Sequence, residues 1–197
     1  MKVNLARLFS FVFHPVVFAL LAPLLFVYKQ TENFRYGLKW EFFSSFFLFL
    51  ALAGFYLVRP KEFFIDIDIS KKEQRHIFYS ISLLLSVIYF IVALVFKGIL
   101  FPLSIVGLGI ILGIVVFDLI TYYMKISIHA AVASAYVVSI ALLFGVIPFF
   151  LSLWIIFFVG WSRMKLKNHT EREVVAGILL GASITIATYL IGRLIPQ

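Results

Sequence analysis

Between two long apolar stretches lies the segment Ser162-Arg163-Met164-Lys165-Leu166-Lys167-Asn168-His169-Thr170-Glu171-Arg172-Glu173. An arginine can clamp an oxyanion with two parallel N–H donors. A histidine can serve as nucleophile or base, and a neighbouring acid activates it by orienting the second ring nitrogen. Glu173 follows His169 by four residues, one turn of a helix, whereas Glu171 at two residues points elsewhere. Arg163, His169 and Glu173 therefore form a cationic island with a nucleophile and its orienter. That combination predicts chemistry on a phosphate group at a membrane surface.

A second polar stretch, Tyr122-Tyr123-Met124-Lys125-Ile126-Ser127-Ile128-His129, alternates Lys125, Ser127 and His129 with apolar residues. On an extended segment that spacing puts the three polar groups on one side. Lys125 can hold a phosphoryl oxygen, Ser127 can donate to one, and His129 can protonate a departing alkoxide. The small-residue run Ala130 to Ala135 follows, where helices can approach closely. A third stretch, 59–76, carries Asp66, Asp68 and Glu73 among lysines and Arg75. Asp118 reads as a pairing partner for Lys125, His14 before Pro15 as a helix-packing residue, and His76 as solvated. Four histidines without clustered carboxylates make a poor metal site, so neither a metal nor another cofactor is expected.

These groups must be carried by membrane elements. The chain has 197 residues, 63% hydrophobic and 13% charged, with mean hydropathy +1.10. Soluble domains are about 45–50% apolar and about 25% charged. The expected fold is an all-α, polytopic transmembrane helix bundle of about six or seven helices. One membrane-embedded domain over 1–197 is expected, because the loops are short. The candidate spans are 8–28, 41–58, 77–96, 99–120, 129–145, 147–162 and 173–194. Tight turns are expected at Lys97-Gly98 and at Gly145-Val146-Ile147-Pro148. The absence of cysteine excludes disulfides, thiolate zinc sites and cysteine nucleophiles. The net charge of +8 points to anionic headgroups rather than nucleic acid, since no basic soluble module carries it.

Threading those spans puts 59–76, 121–128 and 161–173 on one face together with the N-terminus. That face carries 12 of the Lys and Arg residues and the opposite face carries 5. The positive-inside rule makes the 12-cation face cytoplasmic. The basic pI and the Phe, Ile and Lys bias fit a prokaryotic inner membrane.

The ordered motifs resemble the type 2 phosphatidic acid phosphatase family of integral membrane lipid phosphatases. That family carries K-x6-R-P, then Pro-Ser-Gly-His, then S-R-x5-H-x3-D. The third motif is matched by Ser162-Arg163, His169 and Glu173, with Glu for the final Asp. The second is matched by Ser127 and His129, while Ile126 and Ile128 stand for Pro and Gly. The first is absent in its usual form. A divergent bacterial branch is more similar, through Phe13-His14-Pro15, the loop ending Lys72-Glu73-Gln74-Arg75, Lys125 to His129, Arg163 to Thr170 and Gly177-x3-Gly181. The resemblance implies a phosphohistidine on His169, with Glu173 on its other ring nitrogen and His129 as general acid. Arg163, Lys125, Ser127 and Arg75 would surround the phosphate. It implies a lipid phosphomonoester or polyprenyl diphosphate as substrate and the bilayer as partner. Bacterial relatives often act on the outer face, against the charge count. A phosphotransferase using the same site is a second reading. A transporter or lipid-binding protein built on Asp118 and Lys125 is a third.

Overall fold

The computed structural model describes residues 2–58, 72–95 and 103–194, all in helices and short connections with no strand among them. Five stretches are long and apolar enough to cross a membrane: Lys2–Thr31, Phe34–Val58, Arg75–Ala93, Val146–Lys165 and Glu171–Leu194. Two shorter apolar helical stretches, Val106–Thr121 and Ile128–Phe144, accompany them. Large apolar side chains such as Phe42, Phe49, Leu57, Phe150 and Phe157 stand exposed, as lipid-facing positions do. The chain is an all-α, multi-pass membrane protein. The polar stretch 59–71 and the expected turn at Lys97-Gly98 lie outside the described residues. Backbone contacts divide the chain into two compact units: Met1–Ala22 with Lys125–Gln197, and Pro23–Met124.

The first unit contains α1 (Lys2–Val12), the opening turns of α2 (Pro15–Thr31), α6 (Ile128–Phe144), α7 (Val146–Lys165) and α8 (Glu171–Leu194). The span expected over 8–28 is thus two helices with a break at Phe13-His14. Pro15 lacks an N–H, and its ring drives the preceding residue out of helical geometry. His14 meets the break by accepting the Val16 N–H on Nδ1 at 3.3 Å and the Val17 N–H on its carbonyl at 2.8 Å. Antiparallel to α1, α7 packs by rings: Phe9 stacks on Phe158 at 4.4 Å, and Phe13 meets Trp154 edge-on. A single residue, Gly145, joins α6 to α7 at φ 94°, in the region L side chains avoid. The core beneath is Phe18, Ala133, Val137, Ile155 and Val159.

The closest helix pair of the unit is α6 with α8. A Cβ on Gly181 would land on the Ala131 carbonyl, and one on Gly177 would sit 2.6 Å from the Ser127 carbonyl. The two backbones therefore touch, as the small-xxx-small pattern permits. Ser134 Oγ donates to the Ile178 carbonyl at 2.8 Å across the same seam.

The second unit holds the remainder of α2, then α3 (Phe34–Val58), α4 (Lys72–Val95) and α5 (Leu103–Thr121). Here α3 begins at Phe34, seven residues before the expected span. Asn33 is its cap, accepting the Tyr36 N–H on Oδ1 at 3.0 Å. Its core is aromatic: Val27, Trp40 and Ala93, with Tyr36, Phe43 and Tyr89 packed around. Glu41 accepts the Leu24 N–H, one residue after Pro23, and the Ser45 hydroxyl. Ser44 and Tyr89 share a hydrogen bond at 3.1 Å between α3 and α4.

Candidate active site

The first unit gathers its polar groups where α6 begins, α7 ends and α8 begins. Arg163 lies in the last turn of α7 rather than in a loop, and it is 2% exposed. One guanidinium nitrogen donates to Ser10 Oγ of α1 at 2.8 Å. The Arg163 carbonyl accepts two amides, from Asn168 at 3.1 Å and His169 at 3.4 Å. Those bonds fold residues 166–169 back over the helix end. The reversal needs a left-handed residue, and Lys167 supplies it at φ 58°.

This turn delivers His169 to the head of α8, 6% exposed. Its Nδ1 lies 2.9 Å from Glu173 Oε2. A carboxylate only accepts, so Nδ1 carries the proton and Nε2 is the nitrogen with the lone pair. The same carboxylate oxygen accepts the Thr170 N–H at 3.2 Å, while Thr170 Oγ1 faces the Glu173 N–H at 3.4 Å. That reciprocal arrangement is a capping box, with Thr170 as cap and Glu173 three residues on. Glu173 therefore starts the helix and orients the histidine with one oxygen. Glu171 is exposed.

On the other side, residues 124–127 run as a non-helical connection and α6 starts at Ile128. Lys125 Nζ donates to the Asn168 carbonyl at 3.1 Å. The Ser127 N–H donates to the Glu173 carbonyl at 3.2 Å, which stitches the start of α6 onto the first turn of α8. Ser127 Oγ is fully buried and accepts the Ala130 N–H at 3.3 Å, so the structure uses it as the cap of α6. His129 is already inside the helix. The expected one-sided array of Lys125, Ser127 and His129 is bent at Ser127 by this cap.

His129 is 6% exposed, and the ring of His14 stands edge-on to it, 4.8 Å between centroids and 87° between planes. His169 lies near His129, and Arg163 near His14. Lys125, Met164, Lys167, Asn168, His169, Thr170 and Glu173 line an open cleft of about 390 Å³. With Arg163, His14 and His129 added to these, the described site has one arginine, two lysines and three histidines. Among the described residues its acid is Glu173, whose carboxylate is committed to His169 and the Thr170 amide.

Arg75 belongs to the second unit, at the start of α4, 2% exposed and close to Tyr79. Asp118 and His76 lie in the same unit. His76 Nδ1 meets Asp118 Oδ1, and the Tyr122 ring lies 4.5 Å from the imidazole. His76, expected to be solvated, is paired. Asp118 has that imidazole as its partner, and Lys125 has the Asn168 carbonyl. Among the described residues, no three His, Cys, Asp or Glu side chains are grouped as metal ligands.

Reasoning from sequence missed Ser10 and gave His14 to packing. It also missed the Thr170-x-x-Glu173 capping box, a readable signal that places a helix start. No protein-family model matches the chain, nor does any curated protein or solved structure.

Proposed function

We propose that this protein is an integral membrane lipid phosphatase that works through a phosphohistidine. The observation that carries the reading is the His169–Glu173 hydrogen bond in a cleft that Lys125 and Lys167 also line. Arg and Lys donors suit phosphate oxygens. The reading uses residues of the first unit alone.

In the reaction, His169 Nε2 attacks phosphorus in line and the bond to the lipid oxygen breaks. Glu173 keeps the proton on Nδ1 and stabilises the imidazolium that forms. His129 gives its proton to the departing oxygen, an alkoxide from a phosphomonoester or a lipid phosphate from a diphosphate. It then takes one from water, whose oxygen attacks the phosphohistidine, releases inorganic phosphate and restores His169. Arg163 and Lys125 neutralise the equatorial oxygens, which is where phosphoryl transfer needs help. Ser127 acts through the cap that fixes where α6, and hence His129, begins. The substrate is a lipid phosphomonoester or a polyprenyl diphosphate, since these groups read phosphate and not the tail. The cytoplasmic assignment of this face follows the charge count.

The test is phosphate release in detergent from phosphatidic acid, phosphatidylglycerophosphate and undecaprenyl diphosphate, with and without chelator. Wild type should release phosphate from at least one of them with chelator present. His169→Ala should lose about 10³-fold or more, because the covalent route is removed. No release by wild type, or equal release by the variant, would sink the reading.

A further inference from the structure

We infer that His14 is a positioning residue of this site: its ring, fixed at the break between α1 and α2, sets the orientation and the proton-carrying role of His129. The inference rests on the phosphatase reading for its chemistry. Its structural basis is independent of that reading.

Three observations carry it. First, the break itself is dictated by Pro15, so His14 sits at a backbone position fixed by the chain rather than on a helix face that can roll. Second, its Nδ1 accepts the Val16 N–H. In a neutral ring that leaves the proton on Nε2, so His14 has a defined tautomer. Third, its ring stands perpendicular to His129 at 4.8 Å. Edge-to-face contact between rings at that separation has a preferred geometry, and it restrains the partner.

Capping does not explain the choice of residue. Ser, Thr, Asp and Asn are the preferred caps, and each would satisfy the Val16 amide. An imidazole adds the contact with His129, which none of those side chains reproduces. Two imidazoles this close resist being charged together. The Val16 N–H already occupies Nδ1 of His14, and the proton transfer falls to the His129 ring. Arg163 on α7 and His169 ahead of α8 are the other charged or titratable groups near the two rings.

Two variants separate the ring from the cap. His14→Asn keeps an oxygen to accept the Val16 amide and removes the ring, whereas His14→Phe keeps a ring and removes the cap. The readout is kcat on the lipid phosphate against kcat on p-nitrophenyl phosphate, whose phenolate leaves without a proton. A general acid is worth about 10²–10⁴-fold when the leaving group needs one. His14→Asn should therefore lose at least about 10-fold more on the lipid than on the activated ester, in the same direction as His129→Gln. Equal losses on both substrates, or no loss for His14→Asn, would reduce His14 to a cap and overturn the inference. If wild type cleaves neither substrate, the phosphatase reading fails first. The positioning claim is then decided by ¹⁵N signals of the His129 ring in micelles: shifts in His14→Asn uphold it, unmoved signals overturn it.

Discussion

Each unit presents a histidine whose Nδ1 faces a carboxylate, and the two pairs are built for different environments. In the second unit, His76 and Asp118 have side chains 27% and 36% exposed, with the Tyr122 ring 4.5 Å from the imidazole. In the first, His169 and Glu173 are 1% and 21% exposed, beside a buried arginine and two further imidazoles. The packing around them differs in the same sense. Rings separate the helices of the second unit, with Trp40, Phe43, Phe47 and Tyr89 in mutual contact. In the first unit α6 and α8 touch backbone to backbone at Gly177 and Gly181. A histidine–carboxylate pair alone is common chemistry, and the two units differ in how closely their helices approach and how deeply they bury it.

The largest expected effect tests that approach. Gly181→Ala forces a methyl onto the Ala131 carbonyl, and backbone cannot swing aside. It should cost about 3 kcal/mol or more and abolish phosphate release, because overpacking of a rigid seam is expensive. Gly54→Ala in the second unit meets only the end of the Ile81 side chain at 3.3 Å. The gain in helix propensity of about 1 kcal/mol should offset that contact, leaving thermal stability in detergent close to wild type. Equal destabilisation by both would break the contrast between the units.

Next in size are the two carboxylates. Glu173→Gln preserves the capping box, since Gln serves there as well as Glu, but removes the charge that holds the Nδ1 proton. Phosphate release should fall about 10²-fold with stability nearly unchanged. Glu173→Ala should lose the same activity and, in addition, about 1 kcal/mol of stability for the lost cap. Asp118→Asn should leave release within about 2-fold, the range of a substitution worth 0.5 kcal/mol or less. A Glu173→Gln variant with wild-type phosphate release would make that residue a helix cap and nothing more.

Much of this was legible in the residues. Apolar length gave the helical class and most spans, and the four-residue spacing of His169 to Glu173 gave their contact. The cap at Asn33 and the box at Thr170 were also written in the chain, and they explain why α3 starts early and where α8 begins. What the sequence could not show is pairing across long separations. Ser10 meets Arg163 across 153 positions, and His14 meets His129 across more than 100. Neither pair has local periodicity, because they depend on how α1 packs against α7 and how the break after α1 meets α6. Likewise, the alternation of Lys125, Ser127 and His129 looked extended, since a period of two does not announce the cap that ends it at Ser127.

The smallest effect compares two strained residues, one per unit. Glu32 after α2 sits at φ 53° and Lys167 after α7 at φ 58°, where only glycine is comfortable. Each holds a helix C-terminus: the Glu32 N–H bonds to Tyr28, and the Lys167 N–H to Met164. Glycine at either position keeps the turn and relieves the Cβ clash, for about 0.5–1 kcal/mol of added stability. Glu32→Gly should do only that. Lys167→Gly should stabilise equally but also remove a cation from the wall of the cleft. The KM for an anionic lipid should then rise, by more at low salt than at high salt, because screening shortens the reach of that charge. A KM that ignores both the substitution and the salt would leave Lys167 as an ordinary surface lysine. The strain at φ 58° would then serve only to return the chain to His169.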